Sequence, residues 1–243
     1  MKINILTVIL SILCLISCQH QASKLQIYPE APAISDINGI PQDSVTPYFP
    51  YYINVDSKKV FTEIDTFLNS MNSVVMFALQ EKVLYNYYLG HNQYRFTWFR
   101  SFNPPVTFTM HRKGDNVWLH IKMLERYPHL GNEMYTYFDS ASNQHVFTDS
   151  VLSSTKFRGN IVMDETIKLS LHDWDTFENL LQETGYWSMA PSEDSFGMDG
   201  SRWIVEAHLK DRYWFVDRWS PDNNFSRIGR YLVYRSGIKV DFY

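Results

Sequence analysis

The sequence has very little cysteine. Cys14 and Cys18 are the two cysteines among 243 residues, and both lie near the N-terminus. The chain that follows residue 18 therefore has no thiol, which excludes disulfide bonds, zinc–thiolate centres and a cysteine nucleophile from its folded part. The formal net charge of −4 shows no basic excess, so we expect no nucleic-acid partner.

Recognisable motifs for metals, cofactors and catalysis are missing as well. The histidines follow no ligand spacing such as HExxH, the glycines form no phosphate-binding loop, and Asp199-Gly200-Ser201 does not fit GxSxG. Glu193, Asp194 and Asp199 do not follow the EF-hand pattern, and a solvated turn is favoured there over a calcium-binding loop. We expect neither a metal nor a cofactor, and the sequence leaves open whether the protein is an enzyme.

The N-terminal residues have the composition of a secretion signal. Lys2 is followed by an apolar run over residues 3–16, which is too short to span a bilayer comfortably as a helix. The run ends in Leu15-Ile16-Ser17-Cys18, which resembles a bacterial lipobox. The resemblance implies removal of residues 1–17 and a lipid on the thiol of Cys18. The alternative is an ordinary signal peptide, whose small-x-small cleavage pattern is poorly met.

Residues 18–50 are rich in proline and show no helical periodicity. Five of the ten prolines lie in this segment. Pro-rich linkers extend by about 3.1 Å per residue, so we expect a tether that holds the domain up to roughly 90 Å from the membrane. Tyr48 and Phe49 are too apolar for a free linker, and we expect them to dock on the domain.

Residues 51–243 are expected to form one domain of the α+β class. Strand-like runs cluster in hairpins, which favours a mainly antiparallel β-sheet covered on one side, with two or three helices packed on it. The first helix is expected to begin at Asp56 or Ser57, because apolar residues recur with helical spacing over 60–71.

Two further helices and a hairpin are predicted by local signals. Ser170 and Asp173 stand at capping-box spacing, so a helix should begin there and end before Gly185. A last short helix is predicted over 225–234. Strands over 106–110 and 117–123 flank Lys113-Gly114-Asp115-Asn116, which is a good hairpin turn.

The most aromatic part of the chain predicts a hairpin of two strands, 202–209 and 213–219. The turn length decides the register. A two-residue turn places Glu206 opposite Phe215, whereas a three-residue loop places it diagonal to Arg218. Glu206 and Arg218 are interpreted either as a structural ion pair at the sheet edge, which is favoured, or as a ligand-facing charge pair walled by tryptophans.

Arginine also suggests a site elsewhere. Arg95 and Arg100 flank an aromatic strand, where an arginine either recognises a planar group of a ligand or has a structural role, such as pairing with Glu81. We predict no catalytic residue. The candidate binding residues are Arg95, Arg100, Asp199, Glu206, Arg218 and Trp219.

Several short motifs between about residues 60 and 235 carry a resemblance. They are Glu81 with Val83-Leu84-Tyr85-Asn86, Tyr94-Arg95-Phe96 with Arg100-Ser101-Phe102, Trp174 with Phe177, Trp187, Gly197-x-Asp199-Gly200, Trp203 with Glu206, and Tyr213 with Arg218-Trp219-Ser220-Pro221. With them the chain resembles a group of uncharacterised lipoproteins and secreted proteins of Gram-negative bacteria. The resemblance implies one α+β domain behind a lipid anchor, and it implies no particular activity.

These features together predict a lipid-anchored cell-envelope protein that binds a protein partner or a small ligand without catalysis. The residues after Cys18 have neither an aspartate at the second position nor an acidic cluster, so we expect the outer membrane, with the domain facing the periplasm. The alternative is a periplasmic hydrolase. Its site would have to gather Glu206, Arg218, Asp199 and His208 into one concave pocket.

Overall fold

The computed structural model describes residues 27–55, 58–128, 159–193, 197, 199–221, 224–240 and 242, together with the backbone of 137–139 and 144–146. The expected signal peptide, Cys18 and the first residues of the expected tether lie outside the described residues. No helix in the described part of the chain is long and apolar enough to cross a membrane.

A six-stranded antiparallel sheet forms the centre of a single α+β domain, as predicted. Its strand order is β10-β9-β3-β4-β5-β8, and β1 with β2 and β6 with β7 form separate two-stranded hairpins. The strands are β1 Tyr52–Val55, β2 Lys58–Phe61, β3 Asn92–Arg100, β4 Val106–Lys113, β5 Asn116–Leu124, β6 Tyr137–Asp139, β7 Gln144–Val146, β8 Ile161–Leu169, β9 Ser201–Leu209 and β10 Arg212–Trp219. The helices are α1 Thr66–Ala78, α2 Leu171–Glu183 and α3 Asn224–Ser236, with a 3-10 turn at Tyr186–Ser188.

Both faces of the sheet are covered, whereas the sequence led us to expect cover on one side. The face that bears Tyr94, Phe96 and Trp98 packs against α2 and α3. The opposite face, which bears Phe99, packs against α1 and the segment before β1. The strand pattern was misleading because the second face carries polar residues that are nevertheless buried, so alternation of apolar and polar residues did not mean exposure.

The local signals for α2 and for both central hairpins are confirmed. The Ser170 side chain accepts a hydrogen bond from the Asp173 N–H, and the Asp173 carboxylate accepts one from the Ser170 N–H, which completes the capping box. Gly185 follows the helix with φ of 73°, in the left-handed region that glycine adopts without strain. Gly114 at the β4–β5 turn also has positive φ. Helix α3 lies where the last short helix was predicted.

The start of α1 was predicted wrongly. The helix begins after Asp65, whose carboxylate accepts a hydrogen bond from the Leu68 N–H at 2.8 Å, and not at Asp56 or Ser57. Val60 and Phe61 belong to β2 instead, and the Phe61 side chain is largely exposed. Their helical spacing with later residues was a coincidence, because a strand that four residues separate from a helix can share the apolar pattern of that helix.

The segment before β1 packs against the domain from residue 27 onward, so the expected extended tether does not include 27–50. Tyr48 and Phe49 are buried as predicted, and Tyr28 is buried as well. The Asn86 side chain donates to Ala31 O and to Ser35 Oγ, and it accepts from the Ala31 N–H. These contacts hold the proline-rich segment in place, because its polar backbone finds partners in the loop after α1.

Candidate functional site

A buried ion pair lies between β3 and β9. The two strands are neighbours, and their register places Arg95 directly opposite Glu206. The Arg95 Nε lies 2.7 Å and its Nη2 lies 2.5 Å from Oε2 of Glu206, and both side chains are fully buried. The second oxygen of Glu206 accepts a hydrogen bond of 2.9 Å from the Tyr213 hydroxyl. Burial raises the pKa of Glu206, while Arg95 and Tyr213 act against that rise.

Glu81 is a second carboxylate that contacts Arg95. The linked side chains are called the network below, and they are Arg95, Glu206, Tyr213, Glu81, Thr107 and Lys122. The chain turns back towards the sheet after α1, because Gln80 has φ of 54° and the Glu81 N–H donates to Met76 O. Arg95 Nη1 reaches Glu81 Oε2 at 3.2 Å, and Thr107 Oγ1 donates to Glu81 Oε1 at 2.9 Å. Burial acts to raise the pKa of Glu81, but Lys122 and Arg95 outweigh it, so the pKa is lowered.

The network is therefore close to neutral and mostly internal. Two carboxylates, Glu81 and Glu206, are balanced by Arg95 and by Lys122, whose Nζ lies 3.7 Å from Glu81. Glu81 and Lys122 reach the surface, with 9% and 13% of their side chains exposed. Such a network gives little net stability, but removal of one partner leaves an uncompensated charge in the interior.

The predicted pairing of Arg95 with Glu81 is formed, whereas Glu206 and Arg218 do not pair. A two-residue turn joins β9 and β10, so Glu206 lies opposite Phe215 and Arg218 lies opposite Trp203. Glu206 and Arg218 consequently point to opposite faces of the sheet. Arg218 contacts Glu193 at 3.1 Å and donates to Ala190 O at 2.9 Å. Both interpretations of a Glu206–Arg218 pair are thus wrong.

Arg100 and Asp199 lie apart from the network. Arg100 donates to Pro104 O through Nε at 2.9 Å and through Nη2 at 2.5 Å, which fixes the connection between β3 and β4. Its guanidinium also lies 4.9 Å from the Trp98 ring centroid. Asp199 is exposed in the loop before β9. The structure therefore does not bring these two candidates together with Glu206.

Trp219 has a packing role that explains the motif Gly197-x-Asp199-Gly200. A Cβ at Gly197 would collide with the indole Nε1 of Trp219, and a Cβ at Gly200 would collide with Ser220 Oγ and lie against the same indole. Gly200 also has φ of 143°, which side chains rarely adopt. The two glycines are thus required for close approach to Trp219.

His208 is a buried structural residue. Its Nε2 lies 3.0 Å from the Leu89 N–H, which can only donate, so Nε2 must accept. Its Nδ1 then carries the proton and donates to Leu84 O at 2.6 Å. Burial lowers the pKa of His208 to about 3. Both ring nitrogens of His208 are therefore occupied by the backbone of the loop after α1.

His91 and His111 form a second histidine contact on the same side of the sheet, with His91 Nε2 3.1 Å from His111 Nδ1. No group of three or more histidine, cysteine or acidic side chains suited to a metal ion occurs among the described residues.

A groove with a volume of about 440 Å³ opens beside Glu81 and is called the Glu81 groove below. Four of its seven lining residues are apolar or aromatic, and Glu81 and Lys82 are the two charged ones. The sequence did not predict it, because its walls come from the proline-rich segment and from the end of α1. The lining residues are Ile40, Pro41, Tyr48, Phe77, Gln80, Glu81 and Lys82.

The polar members of the network were missed for a related reason. Thr107, Lys122 and Tyr213 lie on three different strands, and only the strand order brings them to one face. The sequence did contain one signal for buried polar groups. Polar residues such as Arg95 and Thr97 stand at alternate positions of β3, between apolar residues.

Comparisons of the chain with protein-family models, with curated proteins and with solved structures gave no match. A function must therefore be argued from the groove and the network themselves.

Proposed function

We propose that this chain is a lipid-anchored protein of the cell envelope whose domain binds a small amphipathic molecule without transforming it. Residues 1–17 would be the signal peptide, Cys18 would carry the lipid, and the domain would face the periplasm from the outer membrane. The ligand would lie in the Glu81 groove.

The observation that carries this proposal is the state of the Glu81 carboxylate in the lining of a mostly apolar groove. Small-molecule sites are mostly apolar and contain a few fixed polar groups that orient the ligand. Both oxygens of Glu81 are held, one by Arg95 and the other by Thr107, and its lowered pKa keeps the carboxylate ionised. An ionised carboxylate held in this way is a poor general acid, and it is well suited to accept a hydrogen bond from a ligand.

The arrangement of the other charged residues also favours binding over the hydrolase alternative. A hydrolase built on Glu206, Arg218, Asp199 and His208 would need these groups around one pocket. Glu206 is fully buried against Arg95, Arg218 points to the other face of the sheet, and Asp199 is exposed in a loop.

A thermal-shift experiment tests the groove. Octanol, octylamine and octanoate share one alkyl chain and differ in the head group. We expect octanol and octylamine to raise the melting temperature more than octanoate, because the Glu81 carboxylate can accept a hydrogen bond from a hydroxyl or an ammonium group but not from a second carboxylate. Ile40→Glu should abolish the shift, since Ile40 lines the groove.

Ile37→Glu is the matched control for this test. Ile37 lies in the same loop and is 70% exposed, close to the 58% of Ile40, but it does not line the groove. A shift that is equal in the two variants, or no ligand-dependent shift at all, would contradict the proposal.

The anchor is tested separately by the intact mass of the protein from cell membranes. We expect residues 1–17 to be absent and an acyl-glyceryl mass to be present on Cys18. Cys18→Ser should appear in the soluble fraction. An unmodified thiol on a membrane-free protein would overturn the anchor and leave the groove unaffected.

A further inference from the structure

The docked proline-rich segment shortens the distance between the proposed lipid and the domain. Ile27 already contacts the domain, so only residues 19–26 lie between it and Cys18. The nine residue-to-residue steps from Cys18 to Ile27 span at most about 30 Å when fully extended, compared with the roughly 90 Å expected for a tether that ends at residue 50. The lipid therefore constrains which surface of the domain lies near the bilayer.

Ile27 lies beside the β1–β2 hairpin. It shares a small cavity with Tyr52, Ile53 and Asn54, which all belong to β1. The next residue, Tyr28, donates a hydrogen bond of 2.6 Å from its hydroxyl to Leu209 O. The chain that leads to Cys18 therefore leaves the domain next to β1.

The β1–β2 hairpin exposes aromatic and basic side chains. Phe61 is 68% exposed, and Tyr51, the residue before β1, is 39% exposed. Phe61 pairs with Tyr52 and Lys59 pairs with Asn54, so Phe61 and Lys59 share one face of the hairpin, whereas Lys58 belongs to the other. Lys58 and Lys59 are exposed on β2, and Lys59 Nζ lies 4.2 Å from the Tyr52 ring centroid. Aromatic rings with neighbouring lysines are typical of surfaces at the level of lipid head groups, where anionic lipids attract the lysines.

We propose that the β1–β2 hairpin lies on the bilayer that holds the lipid of Cys18, with the face of Phe61 and Lys59 towards it, Phe61 at the head-group level and Lys59 against anionic lipids. This inference rests on the proposed lipid anchor. The partner surface is the bilayer itself. The short chain before Ile27 brings that surface within reach, and the exposed side chains of the hairpin match its chemistry.

Photo-crosslinking in vesicles tests this arrangement. Residues 18–243 contain Cys18 as their single cysteine, so its thiol can be coupled to a maleimide lipid in vesicles of phosphatidylethanolamine and phosphatidylglycerol. This coupling supplies the anchor whether or not cells lipidate the protein. In one variant Phe61→p-benzoylphenylalanine places the photoreactive group on the hairpin.

Tyr234→p-benzoylphenylalanine is the matched control. Tyr234 is also an exposed aromatic residue, at 79%, and it lies on α3, which packs on the opposite face of the sheet. We expect a lipid adduct at position 61 and none at position 234, as measured by mass spectrometry. Lys59→Ala should lower the adduct yield at position 61 several-fold in these vesicles but not in phosphatidylcholine vesicles.

Three results would overturn the inference. Equal adducts at both positions would mean that the domain has no preferred orientation, and an adduct between two copies of the chain at position 61 would make the hairpin a contact between proteins. Absence of any adduct at position 61 would remove the hairpin from the membrane while leaving the anchor intact. A failure of the anchor itself is recognised by the intact-mass measurement on Cys18.

Discussion

Arg95 and Glu206 are direct partners on adjacent central strands, and neither side chain is accessible to solvent. They are 111 residues apart in the chain, so this contact joins β3, near the start of the central sheet in sequence, to β9, near its end. The pair occupies a position that an apolar side chain would fill in most sheets. Its charges are balanced by neighbours, and each is a liability if the other is removed.

Replacement of Glu206 by glutamine should destabilise the fold strongly. Glu206→Gln leaves Arg95 buried with only Glu81 to balance it, and we expect the free energy of unfolding to fall by about 3 kcal/mol. Urea denaturation followed by tryptophan fluorescence measures this change. Glu183→Gln is the matched control, because Glu183 pairs with Arg227 on the surface and such pairs contribute about 0–1 kcal/mol. Equal losses in the two variants would show that the buried pair has no special role.

Replacement of Asn86 should release the proline-rich segment from the domain. Asn86→Ala removes three side-chain hydrogen bonds to Ala31 and Ser35, and we expect a loss of about 3 kcal/mol. Limited proteolysis should then cut within 27–47 long before it cuts the sheet. Asn38→Ala removes an exposed contact with Asp36 and is the control. If both variants resist the protease equally, Asn86 does not hold the segment.

Replacement of Gly200 by alanine should lower the free energy of unfolding by more than its backbone conformation alone explains. Gly200→Ala and Gly114→Ala both place a side chain at positive φ, but only the Cβ at position 200 meets neighbouring atoms. We expect a loss of about 1 kcal/mol for Gly114→Ala and about 1–3 kcal/mol more for Gly200→Ala. The difference in urea midpoint measures the collision with Ser220 and Trp219. A difference near zero would mean that this loop moves freely away from Trp219.

The contribution of His208 to the free energy of unfolding should fall as the pH is lowered from about 6.5 to about 3. The pKa of His208 is lowered to about 3 by burial, so over this interval the unfolded chain binds a proton that the folded chain does not. The unfolded state is then favoured by up to about 1.4 kcal/mol per pH unit. Urea denaturation at a series of pH values measures this slope.

His208→Gln should reduce that slope between pH 6 and pH 4, even though it also lowers stability at neutral pH by removing buried contacts. His172→Gln, which replaces an exposed imidazole on α2, controls for the loss of a histidine as such. His111, whose pKa burial also lowers to about 3, keeps part of the slope in the His208 variant. An unchanged slope in His208→Gln would show that this imidazole is already protonated in the folded protein.

Capping and turn residues correctly predicted the features of the fold that depend on a few neighbouring residues. Ser170 with Asp173 predicted the start of α2, and Gly114-Asp115 predicted a hairpin, because caps and turns are decided within a few residues. The error at Asp56 has the opposite origin. Hydrophobic spacing cannot tell a helix from a hairpin followed by a helix, and the decisive cap at Asp65 lies inside the apolar pattern.

The candidate site was predicted in part, for the same physical reason. Arg95 could be matched with Glu81 as complementary charges, but the partner that contacts it most closely is Glu206, and that contact depends on β3 lying next to β9. The order of strands in a sheet is a property of the whole chain. The Glu81 groove was invisible to sequence reasoning because a segment interpreted as a free tether supplies one of its walls.

The hydrogen bond from Tyr28 to Leu209 joins residues 181 positions apart. A ribosome makes Tyr28 early and its acceptor near the end, so the first residues of the domain have to wait for the last hairpin before they can settle. Until then the apolar residues on one side of the incomplete sheet are exposed to solvent. Contacts between residues so far apart in the chain slow folding, and incomplete chains that lack them are prone to aggregate. Synthesis of this protein should therefore depend on helpers that shield unfinished chains, and shortened products that lack β9 and β10 should be degraded or precipitate.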